Sequence, residues 1–103
     1  MKVKWVEHAK QQRDMVADYI RDRFGAKRKR QFKLEVHNTI DMLKQSPNIG
    51  KIDPLFVDRP MTYRSIIING LNKLVYRIDG DIIYVVGFWD TRTDDNSQAE
   101  KVQ

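Results

Sequence analysis

At its very start the chain alternates apolar and polar residues one by one. Val3 and Trp5 stand against Lys2 and Lys4, which predicts a short half-buried strand at a sheet edge, where lysines discourage further pairing. The period then lengthens. Over residues 7–24, Ala9, Val16, Tyr19, Ile20 and Phe24 recur mostly at three- and four-residue spacings between Gln, Arg and Asp, predicting a helix that Gly25 stops. A second helix is predicted over 29–45, where Phe32, Val36, Ile40 and Leu43 mark one face and Ser46-Pro47 bars continuation. The short link between the two makes an antiparallel hairpin. Residues 47–60 contain Pro47, Gly50, Pro54 and Pro60 and read as an ordered surface loop holding Ile49, Ile52, Leu55 and Phe56 against the core. Residues 63–68, 73–78 and 82–89 are rich in Ile, Val and Tyr. Asn69-Gly70 and Asp79-Gly80 separate them as hairpin turns, so a three-stranded meander follows. Residues 93–103 are polar and are expected to fray unless a partner holds them.

A chain of 103 residues encloses one hydrophobic core, so a single domain spanning residues 1–103 is expected. With 41% hydrophobic and 32% charged residues it has the composition of an ordered globular protein. No apolar run approaches the roughly 18 residues of a membrane span, and the start, residues 1–5, leads into an amphipathic helix instead of a secretory apolar stretch. A cytoplasmic protein with no membrane partner is the expectation. Without cysteine there is no disulfide or thiol chemistry, and His8 and His37 have no metal-ligand spacing. Nor is there a Gly-rich phosphate loop, so no metal or cofactor is expected. Charge changes the picture most. Residues 1–52 hold 13 Lys/Arg against 6 Asp/Glu, a balance of +7, while residues 53–103 hold 6 against 8, a balance of −2. A basic helical half beside a slightly acidic sheet half points to a polyanion or an acidic protein segment as partner.

The order strand, helix, helix, three strands carries four pieces in sequence. They are Ser46-Pro47-Asn48-Ile49-Gly50, Tyr63-Arg64-Ser65, Lys73-Leu74-Val75-Tyr76-Arg77-Ile78-Asp79 and Phe88-Trp89-Asp90-Thr91-Arg92. Together they resemble the RelE/ParE toxin superfamily over residues 3–92, and most of all its ParE-like branch, the plasmid stabilisation toxins. The resemblance implies an α+β fold, β-α-α-β-β-β, with the helical hairpin on one face of an antiparallel sheet. It also implies the toxin of a type II toxin-antitoxin module, held inactive by a cognate antitoxin with an acidic C-terminal segment and inhibiting growth when free. Two targets occur in the superfamily: DNA gyrase, inhibited without chemistry, and messenger RNA cut in the ribosome. A non-toxic basic binding module is a third reading.

RNA cleavage without a metal needs proton transfer and cations that stabilise charge on phosphate oxygens. Arg64, Lys73 and Arg92 resemble the basic residues of cleaving relatives, with Arg77 a fourth candidate, and the first three are expected to converge on the helix-free face of the sheet. A regular Asn69-Gly70 hairpin pairing residues whose numbers sum to 141 sets Arg64 across from Arg77 and Ile66 across from Val75. Cleaving relatives often carry a terminal His or Tyr as proton carrier. This chain has neither after Tyr84, which tilts the reading toward gyrase. Candidate contacts for nucleic acid or antitoxin are Lys27, Arg28, Lys29 and Arg30, together with Trp89, which either stacks on a base or closes the edge of the core. An exposed apolar rim is expected at Trp5, Phe24 and Phe32.

Overall fold

The computed structural model describes residues 1–91 and residue 102. Strand β1 (Lys2–Trp5) leads into helix α1 (Glu7–Phe24) and, through Gly25 alone, helix α2 (Ala26–Gln45). A two-residue strand β2 (Lys51–Ile52) and a single 3-10 turn (Pro54–Phe56) precede β3 (Tyr63–Ile68), β4 (Asn72–Asp79) and β5 (Ile82–Asp90). Helix α2 begins three residues earlier than its apolar spacing suggests. Gly25, with φ of +96°, turns the chain in one residue and leaves no longer link between the helices.

The sheet order is β1-β5-β4-β3-β2. The meander is antiparallel as expected, and β1 takes an edge, but it runs parallel to β5, with Val3 opposite Ile83 and Trp5 opposite Val85. The hairpin forms the long crossover that a parallel pairing requires. The predicted loop contributes the added strand β2, which pairs with β3 through Lys51 and Ser65.

Both faces of the sheet are covered. On one face Leu74, Tyr76, Ile83, Val85 and Phe88 pack against Ala9 and Ala17 of α1 and Phe32, Val36 and Leu43 of α2. Phe32 stands edge-on to Phe88 at 6.0 Å between ring centres. Of the expected apolar rim, Phe24 is exposed and Trp5 is half-buried under the Arg13 guanidinium, whereas Phe32 is a core residue because its face of α2 points at the sheet. The opposite face carries a second cluster of Phe56, Tyr63, Val75, Val86, Trp89 and Val102. A bulge in β5 opposite Val75 and Tyr76 makes the second cluster possible. It shifts the alternation by one, so that Ile83, Val85 and then Phe88 face the helices while Val86 and Trp89 turn away from them.

Candidate functional site

The Asn69-Gly70 turn fixes where the strand cations stand. Asn69 and Gly70 both have positive φ, but Leu71 joins them in a three-residue loop closed by its N–H on the Ile68 carbonyl. Ile68 therefore pairs with Asn72, and the register sets Arg64 opposite Tyr76 and Arg77 opposite Tyr63, with Ile66 opposite Leu74. The expected Arg64–Arg77 and Ile66–Val75 pairs do not form. A one-residue difference moves a side chain to the other face, so Arg64 projects on the side of Tyr76 while Lys73 and Arg77 project on the side of Val75 and Tyr63. The convergence of Arg64 and Lys73 on the helix-free face does not occur, and Arg92 lies outside the described residues.

Each of the three described cations has a local partner of a different kind. Arg64 Nη1 donates to the Gly50 carbonyl at 2.8 Å and the Asn48 carbonyl at 3.4 Å. Beside it the Tyr76 hydroxyl accepts from the Gly50 N–H at 2.9 Å and donates to the Pro47 carbonyl at 2.7 Å. Burial pushes the Tyr76 hydroxyl up from its ordinary pKa, against the lowering effects of the Gly50 hydrogen bond and the Arg64 charge. Gly50 has no room for a side chain: a Cβ would meet the Tyr76 ring at 2.8 Å. Arg64 and Tyr76 thus pin the Ser46–Gly50 piece of the resemblance to the sheet.

On the other face, Lys73 Nζ lies 2.6 Å from Asp53 Oδ2, and the Asp53 side chain is only 4% exposed. The other oxygen, Oδ1, accepts the Leu55 N–H and so caps the 3-10 turn that brings Phe56 over the sheet. Arg77 stacks on the Tyr84 ring at 4.5 Å and lies 3.7 Å from the Asp79 carboxylate, while its Nε and Nη1 are buried without a hydrogen bond. Arg64 and Arg77 meet only as lining residues of an open cavity of about 320 Å³ shared with Asn48, Met61 and Thr62.

Trp89 is buried in the second cluster and is no platform for a base. Its ring occupies the space that a side chain at residue 87 would need, which explains Gly87. Lys27, Arg28, Lys29 and Arg30 fall in the opening of α2, which has no acidic residue in its first turn and no side-chain cap. Lys29 bridges the two helices to Asp18 at 3.0 Å, and this hydrogen bond, followed by the Lys29 charge, lowers the Asp18 pKa. Arg28 borders a groove of about 220 Å³ between the hairpin and the β3–β4 turn, where Tyr19, Phe24 and Leu71 are each more than half exposed. The sequence reading missed this groove, because Leu71 reaches it only through the three-residue loop. It also missed Asp53, although an Asp directly before a Pro is a turn-capping signal.

Among the described residues no three His, Asp or Glu side chains are grouped to hold a metal, and no helix is long and apolar enough to cross a membrane. The family model described as ParE toxin of type II toxin-antitoxin system, parDE, matches residues 3–95. The chain belongs to the ParE toxin family. This toxin is similar in fold to a chain of the chromosomal ParDE toxin-antitoxin system from P. aeruginosa, with a TM-score of 0.70 and 19% identity, over 87% of this chain and 95% of that one. No curated protein matches the sequence. Membership makes the chain the toxin of a type II toxin-antitoxin pair, with a cognate antitoxin as its partner.

Proposed function

We propose that this ParE toxin acts in the cytoplasm as a non-catalytic inhibitor of DNA gyrase, and that an acidic amphipathic segment of its antitoxin holds it by seating apolar side chains in the groove beside Tyr19, Phe24 and Leu71. The observation that carries the target is the placement of the strand cations. Arg64 is engaged with loop carbonyls and Lys73 with Asp53, on opposite faces of the sheet. Phosphoryl chemistry on RNA needs cations directed together at one phosphate. Arg64 and Lys73 are committed to the fold on opposite faces, and although Arg77 shares an open cavity with Arg64, the chain has no His or Tyr after Tyr84 to exchange protons, which together support binding over catalysis. The antitoxin reading draws on the exposed apolar side chains of the groove, the Arg28 guanidinium at its border and the +7 balance of residues 1–52.

A gyrase supercoiling assay run beside a ribosome-programmed messenger cleavage assay tests the target. Wild type should inhibit supercoiling and leave the messenger intact. Messenger cleavage that Arg64→Ala or Arg77→Ala abolishes in a folded variant would overturn the gyrase reading and restore these residues to a catalytic role.

A further inference from the structure

The tip of the helical hairpin carries a cationic patch in which Lys27 and Arg30 are used by neither the fold nor the antitoxin groove. Lys27 and Arg30 are exposed, have no ion pair or hydrogen bond among the described residues, and border none of the cavities described above. Arg23, in the last turn of α1 where the helix dipole favours a cation, stacks over the exposed Tyr19 ring at 5.7 Å, at the rim of the groove. The nearby acids are already engaged: Asp18 by Lys29 and Arg21, and Asp22 by Arg21. Positive charge in the first turn of a helix is opposed by the helix dipole, and Lys27 and Arg30, three residues apart, face the same side and repel each other. Uncompensated local cost of this kind is expected where a surface serves a ligand.

We infer that Arg23, Lys27 and Arg30 at the hairpin tip form a contact site for the phosphodiester backbone of a nucleic acid. An acidic helix would need apolar anchors between its carboxylates, and those, Tyr19 and Phe24 among them, lie in the groove, which Lys27 and Arg30 do not border. A phosphate backbone needs only long cationic side chains spaced to follow successive phosphates. Three such contacts position a duplex against the toxin without reading its sequence. The site is separate from the gyrase reading and stands or falls without it.

Fluorescence anisotropy with the full chain and a labelled duplex of about 20 base pairs tests the site. Three phosphate contacts predict a salt slope near −2.7, so affinity should fall about 40-fold between about 50 and about 200 mM salt. Arg23→Gln/Lys27→Gln/Arg30→Gln, its fold checked by circular dichroism, should lose most of that slope. A second arm uses single-stranded RNA of the same length; the weaker slope per contact on single strands separates the two sources of backbone. A third arm uses an oligoglutamate peptide, which should bind more weakly than duplex. An unchanged slope in the triple variant, no duplex binding at about 50 mM salt, or tip-dependent peptide binding tighter than duplex binding would each overturn the proposal.

Discussion

The amine of Lys73 and the carboxylate of Asp53 sit 2.6 Å apart where water scarcely reaches, so neither charge tolerates losing the other. Removing one partner of a buried pair typically costs roughly 3–5 kcal/mol, because the remaining charge stays desolvated. Lys73→Ala is expected to lose stability of that order in urea unfolding, and any loss of toxicity in this variant then reports folding. Tyr76 makes the same point with a neutral group. Tyr76→Phe leaves the Gly50 N–H and the Pro47 carbonyl without their partner, at about 1–3 kcal/mol. The hydroxyl also sets a pH dependence. Its folded pKa is raised above the unfolded value near 10. The stability it contributes is therefore complete below about pH 10 and is lost as pH rises through the folded value. Wild type should weaken in that alkaline range more steeply than Tyr76→Phe. Equal slopes in a pH series of urea melts would remove Tyr76 as the titrating group.

At the scale of elements, the hairpin and the bulged strand respond to different perturbations. Lys29 ties α2 to Asp18 on α1, and the lowered Asp18 pKa means that its stabilisation is present above the usual carboxylate value near 3.8 and fades as pH falls through the lower folded one. Asp18→Asn should therefore melt below wild type at neutral pH, and the gap should close as pH falls through the folded carboxyl's lowered value. A gap that persists in acid would assign the effect to something other than this ion pair. In β5 the constraint is space. A Cβ on Gly87 would stand 2.0 Å from the Trp89 ring, and Gly87→Ala should cost roughly 1–3 kcal/mol as the ring is pushed out of the second cluster. These contrasts also explain what the sequence disclosed. Helices and strands were legible because Phe32, Val36 and Leu43, or Ile83 and Val85, repeat at the period of their element. The register was not, since Asn69-Gly70 marks a turn without saying whether Leu71 belongs to it. The bulge and the Asp53–Lys73 pair depend on partners in other elements, and no local pattern announces them. Of the candidate site, the sequence identified the cations but not which face each would occupy, because a single extra loop residue decides that.

Across the whole molecule, charge and apolar surface are distributed so that each can be tested against the other in antitoxin binding. The helical half holds +7 and the sheet half −2, so an acidic segment is drawn to the hairpin. Charge steers the encounter but is screened within about 8–10 Å at physiological salt. Retention must then come from the groove, where Tyr19 and Phe24 expose more than half their surface and the loop residue Leu71 forms the opposite wall. Burying such side chains does not depend on salt, and truncating an anchor that carries binding typically costs more than 1 kcal/mol, or several-fold in affinity. Titration calorimetry of the antitoxin's acidic segment should therefore show two separable effects. Raising salt should weaken wild type mainly through slower association, and Arg28→Gln should reduce that dependence. Tyr19→Ala/Phe24→Ala, at two exposed positions whose loss leaves the core intact, should weaken binding at every salt concentration while the salt slope stays the same. If the double variant binds as wild type does, the segment docks elsewhere on the toxin; if affinity ignores salt, the basic hairpin has no part in recruiting it.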